Sequence, residues 1–74
     1  MTEPFEIVEY SEHARGAGAS AEAVAYVTLR SGTGGEGALF HGVGRDRDVV
    51  LAAFRALLSG LNRREAQALE RRAG

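Results

Sequence analysis

From Val49 the apolar residues recur as Val49, Val50, Ala53, Phe54, Leu57, Leu58 and Leu61. That spacing draws one broad apolar stripe along a helix and leaves Arg55 and Ser59 on its polar side. Such a helix gains most of its stability by covering something, so the remaining chain must supply the surface. Immediately upstream, Leu39, Phe40 and Val43 have strand character, while Gly42 and Gly44 let the backbone turn or approach a neighbour closely. Asp46 and Asp48 are both candidate N-caps, because a short carboxylate accepts the free N–H groups of a first helical turn. The stretch Leu39–Arg63 therefore reads as strand, glycine-bearing turn and amphipathic helix.

At 74 residues the chain is one small domain. A chain of this size buries only about 60% of the surface its unfolded form exposes, so its own core is marginal. Domains this small recruit a disulfide, a metal or a partner subunit. Cysteine is absent, and His13 and His41 are far apart with no HxxxH or HxH spacing. Disulfides and thiolate metal sites are thus ruled out, no cofactor is expected, and oligomerisation is the remaining route. A formal net charge of −1 argues against a nucleic-acid or membrane-surface protein. The N-terminus MTEPFEIVEY is acidic where a signal peptide is basic, and no apolar run approaches the roughly 18 residues that span a bilayer. The expectation is a cytoplasmic protein with neither nucleic acid nor membrane as partner, in line with its lack of cysteine.

Taken in order, Pro4 to Tyr10 alternates like a strand, with Phe5 and Ile7 on one face and Val8 and Tyr10 on the other. The segment Arg15–Ser20, RGAGAS, is a glycine–alanine loop that either connects elements or lets a ligand touch the backbone. Ala21–Arg30 is ambiguous: its alanines and a Ser20 cap suit a helix, whereas Val24, Tyr26 and Thr28 stand at strand spacing. A strand over about Ala23–Arg30 is the reading adopted. The glycine-rich Ser31–Gly37 then turns it into a hairpin with Ala38–Val43. Beyond Asn62 the charged segment either extends the helix past Gly60 or frays. The fold class is α+β: a βββα core over residues 4–63, with a three-stranded antiparallel sheet under one helix, and a charged extension over 64–74.

Chemistry-bearing candidates are few. Gly42-Val43-Gly44 before a helix has the look of a phosphate loop, but Arg47 replaces the third glycine and two aspartates would repel phosphate. A small zwitterion suits the turn better, its carboxylate meeting helix N–H groups and its ammonium an acidic side chain. Glu12 and His13 point apart on an extended chain, so a loop histidine bonded to backbone is preferred to an acid–base pair. His41 is read as structural. Arg63, Arg64, Arg71 and Arg72 are interleaved with Glu65 and Glu70, which makes a solvated helical surface the better account than a phosphate cluster. No catalytic residue emerges.

Several short motifs occur in a telling order: Glu9-Tyr10-Ser11-Glu12-His13-Ala14, the glycine–alanine loop, Ala23-Val24-Ala25-Tyr26-Val27, Gly42-Val43-Gly44, and a helix ending in Asn62-Arg63. Over about Ile7 to Arg63 the chain resembles the C-terminal half of the regulatory domain of the α-isopropylmalate synthases, a domain type shared with the citramalate synthases. That resemblance implies a domain of two βββα units, of which this chain is the second, binding an end-product amino acid and inhibiting a metal-dependent TIM barrel. The barrel is absent, so the chain itself is expected to have no catalytic activity. By position, the resemblance implies an effector site of Ile7, Tyr10 and Ala14 from the first strand and following loop, with Asp48 and Val49 at the helix start. Arg15, Arg45 and Arg47 depart from the family's pattern and bear on leucine specificity.

The family's units are related by a pseudo-twofold axis, which implies that two copies of this chain pair as a homodimer. The resulting expectation is a stand-alone regulatory or dimerisation module that takes a branched-chain amino acid between subunits and acts on a synthase catalytic subunit in trans. The alternatives are a purely structural interaction module without effector binding, and a fragment of a full-length synthase. Met1 and the charged tail favour a complete small protein over a fragment.

Overall fold

The computed structural model describes residues 4–16, 18, 21–32 and 34–73, the last three as backbone only. Three strands are followed by one helix: β1 (Phe5–Arg15), β2 (Glu22–Ser31), β3 (Leu39–Asp46) and α1 (Val49–Ala73). The strands form one antiparallel sheet in the order β1-β2-β3, so β2 is central and the others are edges. The expected βββα arrangement is present, and the ambiguous Ala21–Arg30 segment is strand. Its proposed Ser20 cap lies outside the described residues, as do the side chains of Arg71 and Arg72.

Two boundaries differ from the sequence reading, and a third takes one of the two forms it left open. β1 continues past Tyr10 to Arg15 and carries His13 into the sheet instead of a loop. β3 runs straight through Gly42 and Gly44, so these glycines belong to a strand and the turn falls at Arg47–Asp48. α1 passes Gly60 and Asn62 without a break and reaches Ala73, because its later turns are rich in alanine, arginine, glutamate and leucine. The hairpin between β2 and β3 is closed by the Ser31 N–H to Ala38 carbonyl bond of 2.9 Å. Its backbone has positive φ at Gly32, Gly34 and Gly35, where a side chain would be strained.

The register explains which residues meet the helix. Ala23, Ala25, Val27 and Leu29 of β2 are buried and stand beside Asp46, Gly44, Gly42 and Phe40 of β3. On β1 the pairing shifts between Ile7 and Glu9, leaving Val8 as the extra residue of a bulge. Phe5 and Ile7 pair with Ser31 and Leu29, whereas Tyr10, Glu12 and Ala14 pair with Val27, Ala25 and Ala23. All five therefore share the helix-side face. The simple alternation that sets Tyr10 opposite Ile7 is corrected by that single bulge.

α1 lies over β3 and β2; among the described residues its backbone does not approach β1. Its contact face is made of small residues. Ala52, Ala56 and Gly60 recur every four positions, are buried, and rest on the backbone of Gly42 and Gly44. Ala52 and Ala56 complete the core with Ala23, Ala25, Val27 and Leu29, and Phe5, Leu57 and Leu61 close its rim. The largest fully buried side chains are only Leu29 and Val24. Each contributes about 1.5–3 kcal/mol of burial, which is little against the ordering entropy of a chain this long.

The single stripe expected on α1 accordingly divides in two. Leu57 and Leu61 help the core, but Val50, Phe54 and Leu58 point away and are 73%, 55% and 43% exposed, joined there by Leu51, which the stripe did not include, at 46%. The sheet leaves no room for them because the glycines of β3 draw the helix backbone itself into contact.

Candidate functional site

The loop from β3 into α1 is ordered by two aspartates. Asp48 is the N-cap: its Oδ1 accepts the N–H groups of Val50 at 2.8 Å and Leu51 at 3.4 Å. Asp46 instead accepts the Asp48 N–H at 2.9 Å and faces the Arg55 guanidinium at 3.3 Å. A carboxylate belonging to the protein thus already occupies helix N–H groups that the sequence reading assigned to a ligand. Arg55 also stops being simply a solvated residue, since it braces the turn from the second turn of α1.

Beside this cap lies an open depression of about 280 Å³ at the end of the sheet. Its apolar wall consists of Ala14, Ala21, Ala23 and Val49. Its polar wall holds Glu12, His13, Glu22 and Arg47. The side chains there are short on the apolar side, which leaves space for a branched aliphatic group, and of both signs on the polar side. Arg47 has no hydrogen bond or ion pair with any described residue.

Of the five residues implied by resemblance, Ala14 and Val49 line this depression and Asp48 precedes Val49 at its edge. Tyr10 is linked to it through a 3.0 Å hydrogen bond from its hydroxyl to Glu12 Oε2. Partial loss of solvent on the sheet surface, and then Glu12, raise the Tyr10 phenol above its ordinary pKa. Ile7 shares the face but stands seven residues from Ala14, about 20 Å along a strand, too far for one small ligand to touch both. Glu12, Glu22 and Arg47 were not singled out as site residues from the sequence; only the sheet register brings them together.

The histidines take other roles. His13 packs edge-on against Tyr26 with ring centroids 5.9 Å apart, and His41 Nδ1 lies 3.0 Å from Thr28 Oγ1. Both pairs are on the sheet face away from the helix. Arg64 donates to the Pro4 carbonyl at 3.2 Å and stands over the Phe5 ring at 5.7 Å, tying the second half of α1 to the start of β1. Arg63 lines a second, open groove with Leu39, Phe40 and Glu70.

Among the described residues an apolar surface is left uncovered. Val50, Leu51, Phe54 and Leu58 on the helix, and Ile7 and Tyr10 on the uncovered helix-side face of β1, are all exposed. A helix apolar on both faces is normally buried on both. No described helix is long and apolar enough to cross a membrane.

A βββα unit with an alanine-rich core and an uncovered apolar helix has the build of a small interaction domain. Comparison with known proteins gives it a family: the LeuA allosteric (dimerisation) domain matches residues 1–65, and the chain belongs to that family. It is 52% identical over 64 residues to the 2-isopropylmalate synthase of Pseudomonas fluorescens (strain Pf0-1), covering 86% of this chain and 11% of that protein. It is 53% identical over 60 residues to that of strain ATCC BAA-477 / NRRL B-23932 / Pf-5, covering 81% and 10%. With the synthase of Pseudomonas syringae pv. tomato (strain ATCC BAA-871 / DC3000) it shares 51% over 63 residues, 85% of this chain and 11% of that one. The chain spans about a tenth of the length of these relatives. No solved structure matches it significantly.

Proposed function

We propose that this domain pairs with a second copy of itself and holds a branched-chain amino acid, leucine first, through which it regulates a 2-isopropylmalate synthase catalytic part. The catalytic part is either in trans or elsewhere in the same polypeptide, and the domain alone does not catalyse the condensation. The observation that carries pairing is the outward stripe Val50–Leu51–Phe54–Leu58 on a helix whose inner face is already spent on Gly42 and Gly44. Burying that stripe and the uncovered face of β1 supplies the apolar area that the alanine-rich core lacks. In a dimer Ile7 serves the interface, while Ala14, Asp48, Val49 and, through Glu12, Tyr10 serve the ligand. This assignment follows from their separation along β1.

A purely structural interaction module is the second reading, and the capped helix N-terminus favours it, since Asp48 already takes two N–H groups. Sedimentation velocity and calorimetric titration of the purified chain with leucine, isoleucine and valine separate the two. A dimer with saturable heat supports the regulatory reading. A dimer without heat leaves an assembly module, and a chain that stays monomeric at high micromolar concentration refutes pairing.

A further inference from the structure

We propose that Arg47 is the specificity-determining residue of the depression beside the helix cap, and that it takes the carboxylate of the bound amino acid. The inference rests on the effector reading above and deepens it by dividing the ligand's two charges between named side chains. Three observations converge on Arg47.

First, the Val50 and Leu51 N–H groups and the Arg55 guanidinium, three neighbouring groups that could receive a carboxylate, are committed. Asp48 Oδ1 holds the N–H groups of Val50 and Leu51 at 2.8 and 3.4 Å, and Arg55 is drawn to Asp46 at 3.3 Å. Second, Arg47 lines the depression yet has no partner among the described residues. Third, the other charged groups of the lining, Glu12 and Glu22, are acidic, and His13 is held edge-on by Tyr26. Without Arg47, that wall and the adjacent Asp48 would repel an anion. With it, the wall presents one guanidinium and two carboxylates above short apolar side chains, complementary to an ammonium, a carboxylate and a small aliphatic group. The glutamates then favour an amino acid over an acid lacking the amine, and Arg47 favours it over an amine lacking the acid.

Calorimetric titration of the full chain with leucine and with leucinamide, in which the carboxylate is neutralised, tests this directly. The unaltered chain is expected to bind leucine at least about tenfold more tightly than leucinamide, as a charge-assisted hydrogen bond provides. Arg47→Gln should abolish that preference by weakening leucine alone, and Arg47→Lys should restore part of it. Circular dichroism checks that the variants fold, which an exposed turn residue should permit. Leucine binding unchanged in R47Q would overturn the role of Arg47 and leave the effector site standing. No heat from the unaltered chain with leucine, isoleucine or valine would overturn the effector reading and this inference with it.

Discussion

Replacing Gly42 with alanine puts a single methyl group where the helix backbone already lies. A Cβ built on Gly42 meets the Ala56 carbonyl oxygen, with Gly60 N at 2.5 Å and Gly60 Cα at 3.0 Å. Ordinary contact between such atoms is about 3.5–4.0 Å, so the helix must retreat by about 1 Å or more. These neighbours are main-chain atoms and cannot rotate aside. Retreat loosens Val27 and Leu29 as well, so the cost belongs at the upper end of overpacking penalties, about 3 kcal/mol. A chain of 74 residues has roughly 4–11 kcal/mol in total, so Gly42→Ala removes a large part of its stability. Gly44→Ala behaves alike, since its Cβ meets the Ala52 oxygen, the Ala56 nitrogen and the Arg55 carbonyl carbon at 2.8 Å. Gly60→Ala is the internal control. Its Cβ meets the tip of Leu29, Cδ1 at 2.9 Å, and alanine favours helix by about 1 kcal/mol, so the two effects nearly cancel. Urea unfolding followed by circular dichroism, at one protein concentration throughout, should rank Gly60→Ala far above both strand variants. A loss below about 1 kcal/mol for Gly42→Ala, or equal losses at all three sites, would refute backbone-on-backbone packing.

Other substitutions probe the remaining features. Phe54→Glu, at the centre of the outward stripe, should abolish self-association in sedimentation while leaving the circular dichroism spectrum helical at concentrations that keep the monomer folded. Asp48→Ala should cost about 1 kcal/mol in urea unfolding, because two first-turn N–H groups lose their acceptor. Arg55→Ala breaks an ion pair whose arginine side chain is 62% exposed and should cost under about 1 kcal/mol in the same measurement. Glu12→Gln should move the Tyr10 ionisation seen by ultraviolet titration to lower pH, since Glu12 is one of the groups that hold its proton. The sign for stability follows from the raised value: the folded chain binds that proton more tightly, so the contribution is intact below the usual tyrosine pKa of about 10 and fades as pH rises through the raised one.

Much of the architecture was legible because it rests on local pattern. Val24, Tyr26 and Thr28 alternate with Ala25, Val27 and Leu29, and the glycines after Ser31 announce a hairpin. Asp46 and Asp48 were both legible as caps, and the hydrogen bonds give the role to Asp48. The helix stripe was legible as a period and misleading as a contact map. Periodicity records which helix positions are apolar, and it cannot say that two glycines on β3 will draw Ala52, Ala56 and Gly60 inward and turn Phe54 and Leu58 out. The candidate site was approached only through resemblance, which named Ala14 and Val49, two residues that line one depression. Glu12, Glu22 and Arg47 come from three separate stretches of chain. Their meeting depends on the β1–β2 and β2–β3 registers, long-range properties no window of sequence contains.

That register has a consequence for how the first strand can vary. Val8 sits at a change of reading frame: odd positions face the helix side before it and even positions after it. Substitutions along β1 leave each side chain's direction unchanged, and losing the extra residue only removes the bulge, whereas gaining a further one between Ile7 and Tyr10 turns one half of the strand over. A deletion at Val8 would restore perfect alternation and keep Phe5, Ile7, Tyr10, Glu12 and Ala14 on the helix side, since Ile7, Glu9 and Tyr10 already stand beside Leu29, Thr28 and Val27. In this strand the tolerance for length is one-sided: the bulge can give up its extra residue with every facing preserved, and an insertion beside it is the more damaging change.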